Sequence, residues 1–188
     1  MDRPAEERAH ERRFHGAPEM LRSPGRVEVL EGPRVVTLCL AGIVARTVLD
    51  VGTGTGIFAE QFAAQGLQVF GIDANPAMLE IARRYVPGAQ FELAPAEAIP
   101  YPDGAADLVF LGLVLHETDD PLQALKEARR VARQRAAVLE WPYGDTEHGP
   151  PLAHRLPPES VAALARAAGF AQVETLPLAH LVLYRLSG

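Results

Sequence analysis

From Thr47 onward, short β-branched and apolar runs alternate with stretches in which apolar residues return every three or four positions. The first texture is that of buried strands and the second that of amphipathic helices. Strands are predicted over residues 47–51, 67–72, 91–94, 106–115 and 136–141, the fourth so continuously apolar that both its faces must be buried. Helices are predicted over 57–64, 77–85 and 121–132, the first two stopped by Gly66 and by the pair Pro87 and Gly88. A shorter helix runs from Pro33 to a stop at Gly42. After a helix at 158–168, strands at 171–176 and 180–186 are joined by too few residues for a helical crossover, so they must form a hairpin. The expected fold is α/β: a doubly wound, mostly parallel seven-stranded sheet ending in an antiparallel hairpin.

Composition narrows the class of partner. The chain has 188 residues, a length that suits one domain. Its 18 Lys and Arg against 24 Asp and Glu leave a net charge of −6, which argues against a nucleic-acid partner held through basic surface. Residues 35–45 are the most apolar stretch and fall short of the ~20 needed for a membrane span. The N-terminus carries mixed charges with no apolar stretch of the signal-peptide kind. The single cysteine, Cys39, reads as a small packing residue, and a cytoplasmic location is expected. Residues 1–34 are predicted to be a helical arm, either solvated or closing over a substrate through Arg12, Arg13, Phe14 and His15, and residues 35–188 the domain proper.

The most specific feature is Asp50-Val51-Gly52-Thr53-Gly54-Thr55-Gly56, directly after the first strand and before a helix. Glycines there allow a tight turn and bring a ligand close to main-chain N–H groups at the carboxyl edge of a parallel sheet. The next strand ends in Asp73, whose carboxylate suits the two hydroxyls of a ribose. The spacing is G-x-G-x-G rather than the G-x-G-x-x-G that seats a pyrophosphate on a helix N-terminus, which disfavours a nicotinamide-dependent oxidoreductase. Asp50 beside the loop repels a pyrophosphate but suits an ammonium, unless it is a structural acid capping the loop. A nucleoside carrying an amino acid is the inferred ligand.

VLDVGTGTG, the GID of residues 71–73, AEAIPYPDG at 96–104 and DLVF from Asp107 together resemble the class I S-adenosylmethionine-dependent methyltransferases, in particular the type 11 domain of the quinone-biosynthesis branch. The resemblance covers residues 47–141 and implies a Rossmann-like methyltransferase fold. It implies S-adenosylmethionine as cofactor, S-adenosylhomocysteine as product and a small-molecule methyl acceptor. Gly52, Thr53, Gly54 and Gly56 would then hold the methionine part, with Asp50 near its ammonium. Asp73 would take the ribose, and Ala74, Met78 and Ala96 would surround the adenine. Where the family has an acid before the alanine of the AE motif this chain has Pro95, which leaves Glu97 as the substitute.

His116 and Glu117 follow the fourth strand, where the reacting methyl is expected, and His116 is the candidate base for an acceptor that must lose a proton. Trp141 and Tyr143 are candidates for an aromatic wall, and residues 149–155 for a semi-rigid loop above the same edge. His148 and His154 lack companion ligands at a diagnostic spacing, so no metal site is expected. The competing reading is a non-catalytic module that binds S-adenosylmethionine.

Overall fold

A computed structural model describes the chain at residue 16 and over residues 18–188; the predicted cluster at Arg12 to His15 lies outside the described residues. The centre of the sheet is β1 (Thr47–Val51), flanked by β2 (Gln68–Asp73) and β4 (Ala106–Gly112), with β3 (Gln90–Leu93) outside β2. On the other side β4 is followed by β5 (Ala132–Glu140), β7 (Val182–Ser187) and β6 (Gln172–Pro177), giving the order β3-β2-β1-β4-β5-β7-β6. The first five strands pair in parallel, while β7 runs antiparallel to both β5 and β6. The strands at the centre are buried on both faces, and their period-two alternation divides the core into two layers. Leu49, Val109, Leu111 and Val138 face one layer with α5 (Pro121–Val131) and α6 (Pro158–Ala167). Val48, Leu108, Phe110 and Leu139 face the other with α2 (Gly32–Leu40) and α3 (Ile57–Ala64). Between β2 and β3 runs α4 (Pro76–Tyr85), opened by Asn75, whose side chain accepts from the Ala77 N–H at 3.0 Å.

Several boundaries depart from those predicted. The apolar run 106–115 is not one strand: β4 ends at Gly112 because Leu113 adopts a left-handed φ of 59°, and a 3-10 turn follows over Leu115–Glu117. Burial made the whole run look like strand, but the Leu113 N–H is used at 2.8 Å by the Leu139 carbonyl and the chain then turns over the sheet edge. Conversely β5 begins at Ala132, four residues before the predicted start, because α5 passes into it without a loop. The chain leaves β1 toward β2 and β3, then returns past β1 to add β4. The loops after β1 and β4 therefore diverge from a topological switch point, the place where open α/β sheets form a crevice.

Two segments wall this crevice. Before α2 the chain makes a 3-10 turn at Pro18–Arg22 and a short helix, α1 (Pro24–Val29), with Leu30 buried behind it. Arg22 fastens this segment down: it donates to the Thr55 carbonyl at 2.8 Å, pairs with Glu60 and stacks on the Tyr85 ring, 3.5 Å from its centroid. Opposite, the connection from β5 to α6 is organised by Arg155, which is buried. Its guanidinium donates to the carbonyls of Pro150, Pro142, Gly144 and His148 at 2.8, 3.0, 3.1 and 2.8 Å and to the Thr146 hydroxyl at 2.6 Å. Five acceptors gathered on one guanidinium, three of them sharing the two hydrogens of Nη1, replace the ladder that a loop lacks.

Arg155→Ala leaves these acceptors unmet and is expected to cost about 2–4 kcal/mol of stability and to expose the 142–155 loop to proteolysis before the sheet unfolds. Thermal denaturation with limited proteolysis measures both; an unchanged Tm and cleavage pattern contradicts the assignment.

Candidate active site

The loop after β1 owes its path to three left-handed glycines, Gly52, Gly54 and Gly56, at φ 66°, 54° and 80°. A side chain at Gly52 would place its Cβ 2.4 Å from Val114 Cγ2, so the loops after β1 and β4 meet where only hydrogen fits. At Gly56 a Cβ would meet Ala82 of α4 at 3.1–3.2 Å, so this glycine serves the packing of α3 on α4. The loop is tied to β2 by two bonds: the Thr53 N–H donates to the Ile72 carbonyl at 2.9 Å and the Gly54 N–H to Asp73 Oδ2 at 2.8 Å. Asp73 Oδ1 accepts from the Asn75 N–H at 2.8 Å. Burial raises the Asp73 carboxyl above its usual range, and these two N–H donors oppose the shift.

Behind the loop, Asp50 is 2 % exposed and accepts the Thr53 hydroxyl at 2.7 Å. Burial pushes its carboxyl up to about 7; the Thr53 bond pulls against this and the charge of Asp73 adds to it.

A cavity of about 850 Å³ opens at the switch point, within the size range of small-molecule and cofactor sites. Of the residues predicted to contact cofactor or acceptor, Gly52, Thr53, Gly54, Asp73, Ala74, Met78, Ala96, Glu97 and His116 line it. Asp50 and Gly56 stand outside the lining, one beneath the loop and the other against α4. Pro95 is in the wall. Glu97 Oε1 accepts from the Asp119 and Asp120 N–H groups at 2.8 and 3.3 Å, so that carboxylate also caps the turn into α5. Trp141 is in the wall, with Gly149 pressed against its indole so closely that a Cβ would lie 2.6 Å from Cδ2. Tyr143 is half exposed and outside the lining. His154 and the prolines 150 and 151 line the cavity, while the His148 ring packs edge-on against His180.

Three features escaped the sequence. Glu140, at the end of β5, is 1 % exposed and holds His116 twice, Nδ1 to Oε2 at 2.7 Å and backbone N–H to Oε1 at 3.1 Å. Its signal was an acid closing the wholly apolar run Ala136 to Leu139. The arrangement directs His116 Nε2 toward Glu117, whose Oε1 is 4.0 Å away. Leu21, Arg26 and Leu30 of the N-terminal segment also join the wall, and no local pattern announced them.

The third feature is a pair of unmet polar atoms. Among the described residues the buried side-chain atoms without a hydrogen-bond partner are Thr55 Oγ1 and Arg26 Nε, and both residues line the cavity. Buried polar groups are rarely left unpaired without reason. Thr55 next to the glycines, with Asp73 beside them, fits the amino-acid and ribose parts of S-adenosylmethionine.

Residues 49–139 match the methyltransferase domain family. The chain is 30% identical over 117 residues to the demethylmenaquinone methyltransferase of Renibacterium salmoninarum, covering 62% of this chain and 49% of that protein. It is 36% identical over 92 residues to the malonyl-[acyl-carrier protein] O-methyltransferase of Serratia marcescens, covering 49% of this chain and 36% of that one. The chain thus spans about half or less of the length of these relatives. Its fold superposes on a SAM-dependent methyltransferase from Aquifex aeolicus with a TM-score of 0.77 at 24% identity, covering 91% of this chain and 98% of that one. The matched segment runs from β1 to β5 and carries the glycine loop, Asp73 and His116, so the similarity to S-adenosylmethionine-dependent methyltransferases covers the strands and loops that build the cavity.

Proposed function

We propose that the cavity binds S-adenosylmethionine and delivers its methyl group to a small acceptor, with Asp73, Ala74, Met78, Ala96 and Glu97 around the nucleoside. The observation that carries this reading is one cavity lined both by a glycine loop with the Asp73 carboxylate and by His116, which Glu140 holds from behind. The named activities of the relatives, on demethylmenaquinone and on the malonyl group of malonyl-[acyl-carrier protein], support an acceptor whose reacting part is small. When bound, the cofactor supplies a methyl on a sulfonium, already a strong electrophile. The protein's part is then to orient the acceptor and exclude water, effects that can supply ~7–11 kcal/mol. Leu21 and Leu30, fastened through Arg22 to the glycine loop, and Trp141, pressed by Gly149, form further parts of the cavity wall that exclude water. The segment before α2 thereby serves as its lid.

Glu140 accepts from His116 Nδ1 and so fixes the tautomer in which Nε2 takes the acceptor's proton. Asp50 acts from behind the loop. An ammonium at the loop favours its ionised form, so binding near neutral pH is coupled to loss of its proton.

Isothermal titration with S-adenosylmethionine and S-adenosylhomocysteine tests the reading directly: both are expected to bind, and binding of neither overturns it. Cofactor affinity is expected to rise with pH through about 7 and to lose that dependence in Asp50→Asn. The same group sets a stability trend. Its folded value lies above its ordinary one, so its contribution is present in acid and is lost as pH rises through about 7. The Tm advantage of Asp50→Asn should therefore be larger at pH 8.5 than at pH 5.5. For an acceptor that loses a proton, His116→Gln should lower kcat by about 10²–10⁴ with cofactor affinity unchanged. Glu140→Gln should displace the pH profile of kcat, and a full-rate His116→Gln variant contradicts the assignment.

A further inference from the structure

Among the described lining residues, the cavity carries the acids Asp73, Glu97 and Glu117 and a single permanent cation, Arg26 on α1. The Arg26 Nε is buried without a hydrogen-bond partner. Burial lowers the guanidinium's proton affinity, and the nearby charge of Glu117 works in the opposite sense. An arginine cannot relieve such a deficit by shedding its proton, as a lysine can. Its Cζ lies 5.8 Å from the Trp141 ring centroid, at the outer range of a cation–π contact. Arg26 is thus placed beside the tryptophan at the end of β5 and near Glu117 after β4, the end opposite Asp73 and Met78. A guanidinium held there and lacking an acceptor at Nε is matched by a planar oxyanion that can take two parallel N–H donors.

We propose that Arg26 receives a carboxylate of the methyl acceptor, so that the acceptor is a small carboxylate-bearing molecule whose body lies against Trp141. This rests on reading the cavity as the methyl-transfer site. In a chain of net charge −6, with acids beside the glycine loop, Arg26 gives an anionic acceptor a place to dock and sets its orientation toward His116. The cofactor's own amino-acid carboxylate is the other source of the same chemistry, and the experiment separates the two.

Benzoate and its neutral isostere benzamide are titrated into the full chain saturated with S-adenosylhomocysteine, followed by ligand-observed NMR. Benzoate is expected to bind at least tenfold more tightly than benzamide. Arg26→Met is expected to remove that preference and Arg26→Lys to restore part of it, with affinity for S-adenosylhomocysteine within twofold of the parent. Circular dichroism checks that the variants fold, and the benzoate-to-benzamide ratio in the unaltered protein decides the matter without them. Equal binding of the two probes, or binding of neither, overturns the proposal. So does a tenfold loss of S-adenosylhomocysteine affinity in Arg26→Met with the benzoate preference retained, which assigns the arginine to the cofactor. If S-adenosylhomocysteine does not bind the unaltered protein, the methyl-transfer reading fails by itself. The benzoate comparison on the ligand-free chain then still decides whether Arg26 holds a carboxylate.

Discussion

Asp73 is the point on which the site depends. One carboxylate takes the N–H of Gly54 from the loop after β1 and the N–H of Asn75 from the turn into α4, so that three separate pieces of backbone share a fixed geometry. The rest of the cavity follows from that position. With Gly54 held to β2, Gly52 is carried into contact with Val114, and this fixes the turn that presents His116. Asn75, held by the same acid, caps α4 and sets Met78 in the wall. A residue without a side-chain acceptor at position 73 would leave two backbone donors to find water and would loosen each of these joints.

The arrangement is costly before any ligand arrives. Asp50 and Asp73 are both drawn out of water near each other, and Asp50 meets this with a value raised to about 7. Leu113 sits in a left-handed conformation at the end of β4, and Arg26 Nε and Thr55 Oγ1 are unmet. Strain and unsatisfied groups of this kind gather where a structure is prepared for something it does not itself contain. They all lie in or directly beneath one cavity, while the sheet below is apolar on both faces and carries the stability.

The sheet and the glycine loop with Asp73 could be read from the sequence because their signals are local. The run TVLDV, the G-x-G-x-G spacing and the hairpin after Gly169 each declare themselves within one short stretch of chain. The cavity wall beyond that loop could not be read in the same way. It is assembled from α1, the turn after β4, the end of β5 and the 142–155 loop, which meet only because β4 returns beside β1. Glu140 looks like an ordinary strand-end acid until His116, 24 residues earlier, is placed against it. Arg155 carries no pattern at all, since its partners are carbonyls that any sequence would offer. Apolar continuity misled over residues 106–115, where burial extends past the strand into a turn. The glycine spacing likewise grouped Gly56 with its neighbours, although its task is to let two helices touch.

A crystal structure of the chain with S-adenosylhomocysteine tests the division of the cavity most directly. The nucleoside is expected between Asp73, Met78 and Ala96, the homocysteine tail along Gly52 and Gly54, and its sulfur directed toward the space between His116 and Trp141. An adenine lodged instead against Arg26 and Trp141, or a cavity without the molecule at saturating concentration, would contradict this placement.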